Sequence, residues 1–112
     1  MGHTAPSRTV SVIIPAYNRA GELRECLAAL KNQTVQPVEI IVVDDHSSDG
    51  TPEVARECGV TLFEAPENQS ANYCRNLGAQ SARGDILMFL DSDTVPSSNA
   101  VETASLNFND ET

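Results

Sequence analysis

Four short apolar runs alternate along the chain with segments of helical periodicity. The runs are too short for helices and the first two are rich in β-branched residues, which predicts strands at residues 10–14, 39–43 and 86–90 and a weaker strand at 60–64. We expect the first strand to stop at Pro15, because proline cannot donate to a sheet ladder. The run at 86–90 contains neither Gly nor Pro, and it predicts a strand that is buried on both faces.

The segments between these runs have the spacing of amphipathic helices. Residues 20–31, a short stretch ending at Cys58, and residues 70–82 are predicted helices, with Gly59 as a stop for the second. The third has a face of small or apolar side chains that would let it lie close to the sheet: Ala71, Cys74, Leu77, Gly78 and Ser81. Pro96 and the serines after it indicate the start of another helix. The alternating order predicts an α/β fold with a mostly parallel sheet.

Composition limits the classes of function. The length of 112 residues predicts one domain, which we place at residues 9–112 after a flexible leader at 1–8. A formal net charge of −9 argues against nucleic acid and anionic lipid as partners. Cys26, Cys58 and Cys74 form no C-x-x-C pair, which is typical of free thiols in a reducing compartment. No apolar run is long enough for a transmembrane segment, so we expect a cytoplasmic location, free or peripheral to the inner face of a membrane.

Asp91 and Asp93 directly follow the fourth apolar run. In an extended segment their side chains point to the same side, so two negative charges converge at the carboxyl end of a strand, where open parallel sheets bind ligands. A divalent cation such as Mg²⁺ or Mn²⁺ would turn their repulsion into attraction. A single aspartate at this place is more often a helix cap, and a D-x-D pattern alone is a weak signal.

Other polar residues lie at the same predicted edge. Asp44 and Asp45 end the second strand, where they serve either a turn or a ligand such as a nucleobase or ribose, while Asp49 is assigned to the turn. The loop after the first strand holds Tyr17, Asn18 and Arg19, and Tyr17 would either stack on a base or cover the core. Arg75 in the third helix is a candidate donor to a diphosphate, because an acidic pocket that binds phosphate still needs cations.

Four motifs, in order, resemble those of the inverting glycosyltransferase family 2. They are VSVIIPAYNR from Val10, VVDDHSSDGT from Val42, RNLGA from Arg75 with Gly84-Asp85 after it, and LDSD from Leu90. Each is modest alone, but together they cover nearly all of residues 9–98. The resemblance implies the nucleotide-sugar-binding, N-terminal portion of a GT-A type glycosyltransferase, a Rossmann-like three-layer α/β/α fold with strand order 3-2-1-4.

The resemblance also implies roles for individual residues. The loop Pro15-Ala16-Tyr17 would line the nucleoside pocket, and Asp45 would hold the uracil or equivalent base of a nucleotide-diphospho-sugar, with a UDP-sugar favoured. Asp93 would bind the Mn²⁺ or Mg²⁺ ion, and Asp91 would face the ribose or the water shell of the metal. The expected nucleotide-sugar-binding set is Pro15, Ala16, Tyr17, Asn18, Arg19, Asp44, Asp45, Arg75, Asp91 and Ser92.

The chain departs from the family pattern at two places. Ser70 stands where the family often has Gly, which affects the loop near the donor. The chain also ends about twenty residues after the D-x-D, so we expect a truncated domain that lacks the acceptor site and the general base and is inactive alone. Strand 86–90 would then be an exposed edge, which predicts self-association or a missing C-terminal portion.

Two other interpretations are compatible with parts of this pattern. A non-catalytic nucleotide-binding or assembly module would keep the same fold. A phosphoacceptor receiver domain needs an acidic pair after the first strand and a lysine after the last, whereas here the pair follows the second strand and the only lysine is Lys31. The receiver interpretation is therefore rejected.

Overall fold

A computed structural model describes residues 8–67 and 69–107 of the chain. Residues 1–7 of the predicted leader lie outside the described residues. Strands and helices alternate in the predicted order: β1 Val10–Ala16, α1 Ala20–Lys31, β2 Glu39–Asp44, α2 Thr51–Glu57, β3 Thr61–Glu64, α3 Ala71–Ser81, β4 Ile86–Phe89 and α4 Ala100–Asn107.

The strands form one parallel sheet in the order β3-β2-β1-β4, as predicted. Alternate residues of β1 point to opposite faces of this sheet. Val12 and Ile14 pack on the face covered by α1, α2 and α4, whereas Ile13 packs on the face covered by α3. The predicted three-layer α/β/α architecture is confirmed.

Helix α3 lies very close to the sheet because of Gly78. A Cβ atom at this position would come within 2.6 Å of Cγ2 of Ile13 and 3.4 Å of Cγ2 of Val43. Gly78 and Cys74 are buried in this contact, while Ala71 and Ser81 are exposed. The close approach is confirmed, although the face that makes it is shorter than predicted.

Strand β1 continues through Pro15 to Ala16, so the prediction that Pro15 ends it is wrong. Odd-numbered residues of β1 bond to the β4 side, as Leu90 N–H donating to Ile13 O shows. Strand β4 ends at Phe89, which is paired with Ile13. An N–H at residue 15 would point to the β4 side, beyond the last residue of β4. Proline, which has no N–H, therefore costs no ladder hydrogen bond at this position.

Strand β4 is an edge of the sheet and is not buried on both faces, contrary to the expectation from its sequence. Ile86 is buried, but Leu87 is 39% exposed and Phe89 44% exposed. The apolar run thus predicted the strand correctly, but it did not reveal that one face of the strand lacks a covering layer among the described residues.

A polar network closes the amino-terminal end of the sheet. The buried Ser11 hydroxyl donates to Glu39 (2.6 Å) and accepts from Gly84 N–H (2.8 Å), and Glu39 also accepts from Arg83 N–H (2.6 Å). Burial would raise the pKa of Glu39, but these hydrogen bonds and the Arg83 charge hold it below its usual range. The network joins β1, β2 and the turn before β4 at the end of the sheet opposite the predicted site.

Gln33, just after the end of α1, forms hydrogen bonds with the start of α4. Its side chain donates to Ser97 O (2.7 Å) and accepts from Val101 N–H (3.0 Å), so one amide satisfies backbone groups at the start of α4. Within the two described ranges, no helix has the length and apolar character needed to cross a membrane.

Candidate functional site

A cleft of about 240 Å³ opens at the carboxyl ends of β1, β2 and β4. This is the edge at which open α/β sheets bind ligands. The cleft brings together eight of the residues predicted for the site, along with two that were not predicted. Its lining is Pro15, Ala16, Tyr17, Arg19, Asp45, Ala71, Cys74, Asp91, Ser92 and Asp93.

The loop after β1 forms one wall. Tyr17 is 47% exposed, so its ring does not serve mainly to cover the core, and it presents a face to whatever enters the cleft. Arg19 lines the cleft, and its backbone N–H donates to Thr51 Oγ1 (3.0 Å). Asn18 is not in the wall: at φ 51° it accepts from Ser48 N–H (2.8 Å) and so joins this loop to the one after β2.

The structure separates the two adjacent carboxylates at the end of β2. Asp44 is 1% exposed and lies outside the cleft wall, and it accepts from Ser47 N–H (2.9 Å) and Ser47 Oγ (2.5 Å). Asp45 lies in the wall, 6% exposed, with Oδ1 accepting from Gln69 N–H (2.6 Å). The positive φ of His46, 62°, turns the chain directly after them. Asp44 thus builds the turn, and Asp45 is the carboxylate of the pair that lies in the cleft wall.

Asp91 and Asp93 lie beyond the end of β4 in a turn, not in the extended segment that their spacing suggested. Thr94 N–H donates to Asp91 O (3.0 Å), which closes the turn. Both carboxylates are exposed and line the cleft, while Ser92 between them is buried. The prediction that strand alternation brings the two carboxylates together is therefore wrong. The turn, and not an extended strand, places both residues in one cleft.

Arg75 stands beside the cleft and contacts it through Asp91. Its Nη2 is 3.8 Å from Asp91 Oδ1, and its Nη1 donates to Asn72 Oδ1 (2.9 Å) one helical turn earlier. The sequence identified Arg75 as a candidate donor, but it gave no sign of the pairing with Asp91.

Ala71 and Cys74, which were not predicted for the site, form the floor contributed by α3. Their position on the small-residue face of this helix was the only sequence signal for them. Burial, with the negative charges of Asp45 and Asp44, raises the pKa of Cys74 to about 11. Burial and the charge of Asp93 likewise raise the pKa of Cys26 to about 11. Both thiols therefore stay protonated at neutral pH and are poor nucleophiles or metal ligands.

Asp49 has the turn role that the sequence predicted. Its carboxylate accepts hydrogen bonds from the Thr51 hydroxyl and from the N–H groups of Thr51 (2.9 Å) and Ala20 (3.3 Å). The Thr51 hydroxyl is the main reason why the pKa of Asp49 lies below its usual range. Asp49 thereby joins the amino ends of α1 and α2.

The turn from Asp91 to Asp93, called the acidic turn below, fits a divalent cation only when a ligand supplies further donors. In residues 8–67 and 69–107 no group of three or more His, Cys, Asp or Glu side chains is placed to hold a metal. Asp91 and Asp93 supply two hard oxygen donors, and Mg²⁺ is commonly held by one or two carboxylates together with substrate phosphates. The donor set therefore fits a metal–diphosphate complex better than a metal alone.

Comparisons with known proteins agree with this geometry. The glycosyl transferase family 2 model matches residues 11–111. The glycosyltransferase AglE of Haloferax volcanii is 40% identical over 94 residues, which cover 78% of this chain and 31% of AglE.

Solved structures show the same fold. The mannosyltransferase PcManGT of Pyrobaculum calidifontis, in complex with GDP-Man and Mn²⁺, superposes with a TM-score of 0.81 at 29% identity, over 93% of this chain and 34% of that one. S. aureus TarS 1-349 in complex with UDP superposes with a TM-score of 0.78 at 28% identity, over 86% of this chain and 30% of that one.

This chain spans about a third of the length of these three relatives. The family model covers most of the chain, and the fold agrees with that of the two solved glycosyltransferase structures. The chain belongs to glycosyl transferase family 2.

Proposed function

We propose that this chain is the donor-binding part of a glycosyltransferase and binds a nucleotide-diphospho-sugar together with Mn²⁺ or Mg²⁺. The observation that carries the proposal is the cleft that joins a buried carboxylate, Asp45, to an exposed acidic turn, Asp91 to Asp93. Both solved relatives described above hold a nucleotide, and one of them holds Mn²⁺ as well.

Asp45 is proposed to recognise the base. A carboxylate accepts from the imide N–H of uracil and equally from the N–H groups of guanine, and Asp45 is held in place by Gln69 N–H. A hydrogen bond from a ligand to the Asp45 carboxylate would be charge-assisted, and the burial of Asp45 would shield it from water. The exposed ring of Tyr17 lies in the same cleft and offers a stacking surface for the base. We propose a UDP-sugar as the donor.

The acidic turn is proposed to bind the diphosphate end. Asp93, with Asp91, would hold the divalent cation, which when bound neutralises charge on the diphosphate leaving group. Arg19 in the cleft wall and Arg75 beside it add positive charge at the same place. Ser92 lies between the two aspartates and is buried.

Transfer of the sugar to an acceptor hydroxyl with inversion is proposed for the whole protein. It requires a general base and an acceptor site, and we assign neither to a residue of this chain. Because the chain spans about a third of the relatives' length, we expect the 112-residue chain to bind donor without completing transfer. The cytoplasmic location expected from the sequence, free or at the inner face of a membrane, stays a prediction.

Calorimetric titration of the chain with UDP-, GDP- and dTDP-sugars, with and without Mn²⁺, tests the proposal. We expect one nucleotide to bind preferentially and binding to weaken when EDTA removes the metal. Weak UDP binding that EDTA leaves unchanged would favour the alternative, a non-catalytic nucleotide-binding or assembly module.

Asp45→Asn is expected to weaken UDP binding about ten- to a hundredfold, which is the range for loss of a charge-assisted hydrogen bond. Asparagine keeps an acceptor for Gln69 N–H, so the loop should hold its position. Because Asp45 would contact the base and not the metal, calorimetry should show the same loss with and without Mn²⁺. A loss seen only with Mn²⁺ would place Asp45 at the metal instead.

The exposed edge strand is proposed to make the isolated chain self-associate. Leu87 and Phe89 expose apolar surface on β4, which has no partner on its outer side within the described ranges. Light scattering after size exclusion should show oligomers at micromolar concentration, and Leu87→Lys should reduce them. Leu106→Lys, which removes an exposed leucine from α4 instead, is the control. A clean wild-type monomer would contradict the proposal.

A further inference from the structure

Arg75 forms the one ion pair between described residues that involves a carboxylate of the cleft. Its Nη2 lies 3.8 Å from Asp91 Oδ1, with the Arg75 side chain 35% exposed and that of Asp91 72% exposed. The other ion pairs of the described ranges use acids outside the cleft, such as Glu57 with Arg24. The guanidinium is therefore placed at the point where the proposed metal would approach.

Asn72 holds the Arg75 guanidinium in this orientation. Nη1 of Arg75 donates to Asn72 Oδ1 (2.9 Å), while Nη2 faces Asp91. Residues three apart on a helix are neighbours, so the amide and the arginine form a unit on the surface of α3. One end of the guanidinium is thus anchored on its own helix and the other points across to the acidic turn.

We propose that the Arg75 guanidinium occupies the place of the divalent cation beside Asp91 until metal and nucleotide bind together. The inference rests on the proposed function and adds a binding order to it. A free dication must compete with the guanidinium for Asp91 and is repelled by it, so it binds weakly alone. A nucleotide diphosphate brings negative charge for both cations, which removes the repulsion.

Metal and nucleotide should then bind cooperatively, and Arg75 should contribute to the coupling. By linkage, any factor by which UDP tightens Mn²⁺ binding is the factor by which Mn²⁺ tightens UDP binding. Because the pair is partly exposed, its effect on a dication is screened and modest. We expect removal of the Arg75 charge to tighten Mn²⁺ binding without nucleotide by about three- to tenfold.

The test is an electron paramagnetic resonance titration of free Mn²⁺ with wild-type chain and with Arg75→Gln, each with and without UDP. Arg75→Gln should bind Mn²⁺ alone more tightly and show a smaller coupling between Mn²⁺ and UDP. Asn72→Ala, which keeps the charge but frees the guanidinium, should shift both quantities in the same direction and by less. Circular dichroism first checks that each variant is folded, and Asn72→Ala carries the test if Arg75→Gln is not.

Arg24→Gln is the matched control, because it removes the same charge from an ion pair outside the cleft. In that pair Arg24 Nη2 lies 3.0 Å from Glu57 Oε1. It should leave Mn²⁺ binding unchanged within about twofold, since distant surface charges are screened. Equal Mn²⁺ binding by wild type and the folded variants overturns the inference, whether or not that binding is measurable. If neither the wild-type chain nor any variant bound UDP, the proposed function would be overturned instead. The titration with Mn²⁺ alone would still decide the role of Arg75.

Discussion

Asp93→Asn is expected to abolish the Mn²⁺-dependent part of UDP binding, with a loss of at least about a hundredfold in affinity. Residues that only support metal ligands already cost ten- to a hundredfold when changed, and Asp93 would be a ligand itself. The asparagine is nearly isosteric and the position is exposed, so the fold should be unaffected. Calorimetry with Mn²⁺ present measures the loss, and binding without metal should change little.

Asp49→Asn is the control for this variant, because it removes the same charge from a carboxylate that serves a turn. Asp49 accepts from Thr51 and Ala20 and is absent from the cleft wall. The change should lower thermal stability slightly and leave metal-dependent UDP binding nearly intact. Equal losses in the two variants would show that these two acids have been assigned to the wrong roles.

Gly84→Ala is expected to lower the free energy of unfolding by about 3 kcal/mol, a cost typical of overpacking a rigid site. A Cβ atom at this position would lie 2.6 Å from Ser11 Oγ and 2.7 Å from Ser11 N. The Ser11 backbone belongs to the central strand β1 and cannot move away. The methyl group would also disturb the hydrogen bond from Gly84 N–H to Ser11, on which the network with Glu39 depends. Urea denaturation measures the change.

Gly21→Ala provides the comparison, because a Cβ there meets nothing within 4 Å. Gly21 lies in α1, where alanine is the better helix former, so this variant should gain about 0.5–1 kcal/mol of stability. If both glycine variants lost stability equally, the cost at Gly84 would not come from its contact with Ser11.

The sequence was most informative where periodicity and local chemistry agree. The β-branched runs and the spacing of Leu23, Cys26, Leu27 and Leu30 determined the elements, and all of these α1 side chains are buried. Element ends were predicted less well when they depended on a neighbouring strand. Pro15 is tolerated because β4 ends at Phe89, and Leu87 and Phe89 of β4 are exposed because α3 packs mainly on β1 and β2.

The site was predicted as a set of residues, and their division into roles required the fold. Asp44 and Asp45 are adjacent and chemically identical, and only the turn made with Ser47 assigns one of them to structure. Gln33 lies just after α1 and anchors α4 across 68 positions in the chain. Contacts between residues distant in the sequence, such as this one and that of Arg75 with Asp91, leave no local pattern to detect.

The most direct test of the central claim is anomalous diffraction at the manganese edge from crystals grown with UDP and Mn²⁺. We expect one anomalous peak between the carboxylates of the acidic turn and the diphosphate, with the uracil within hydrogen-bond distance of Asp45. A nucleotide bound elsewhere, or a peak remote from Asp91 and Asp93, would contradict it.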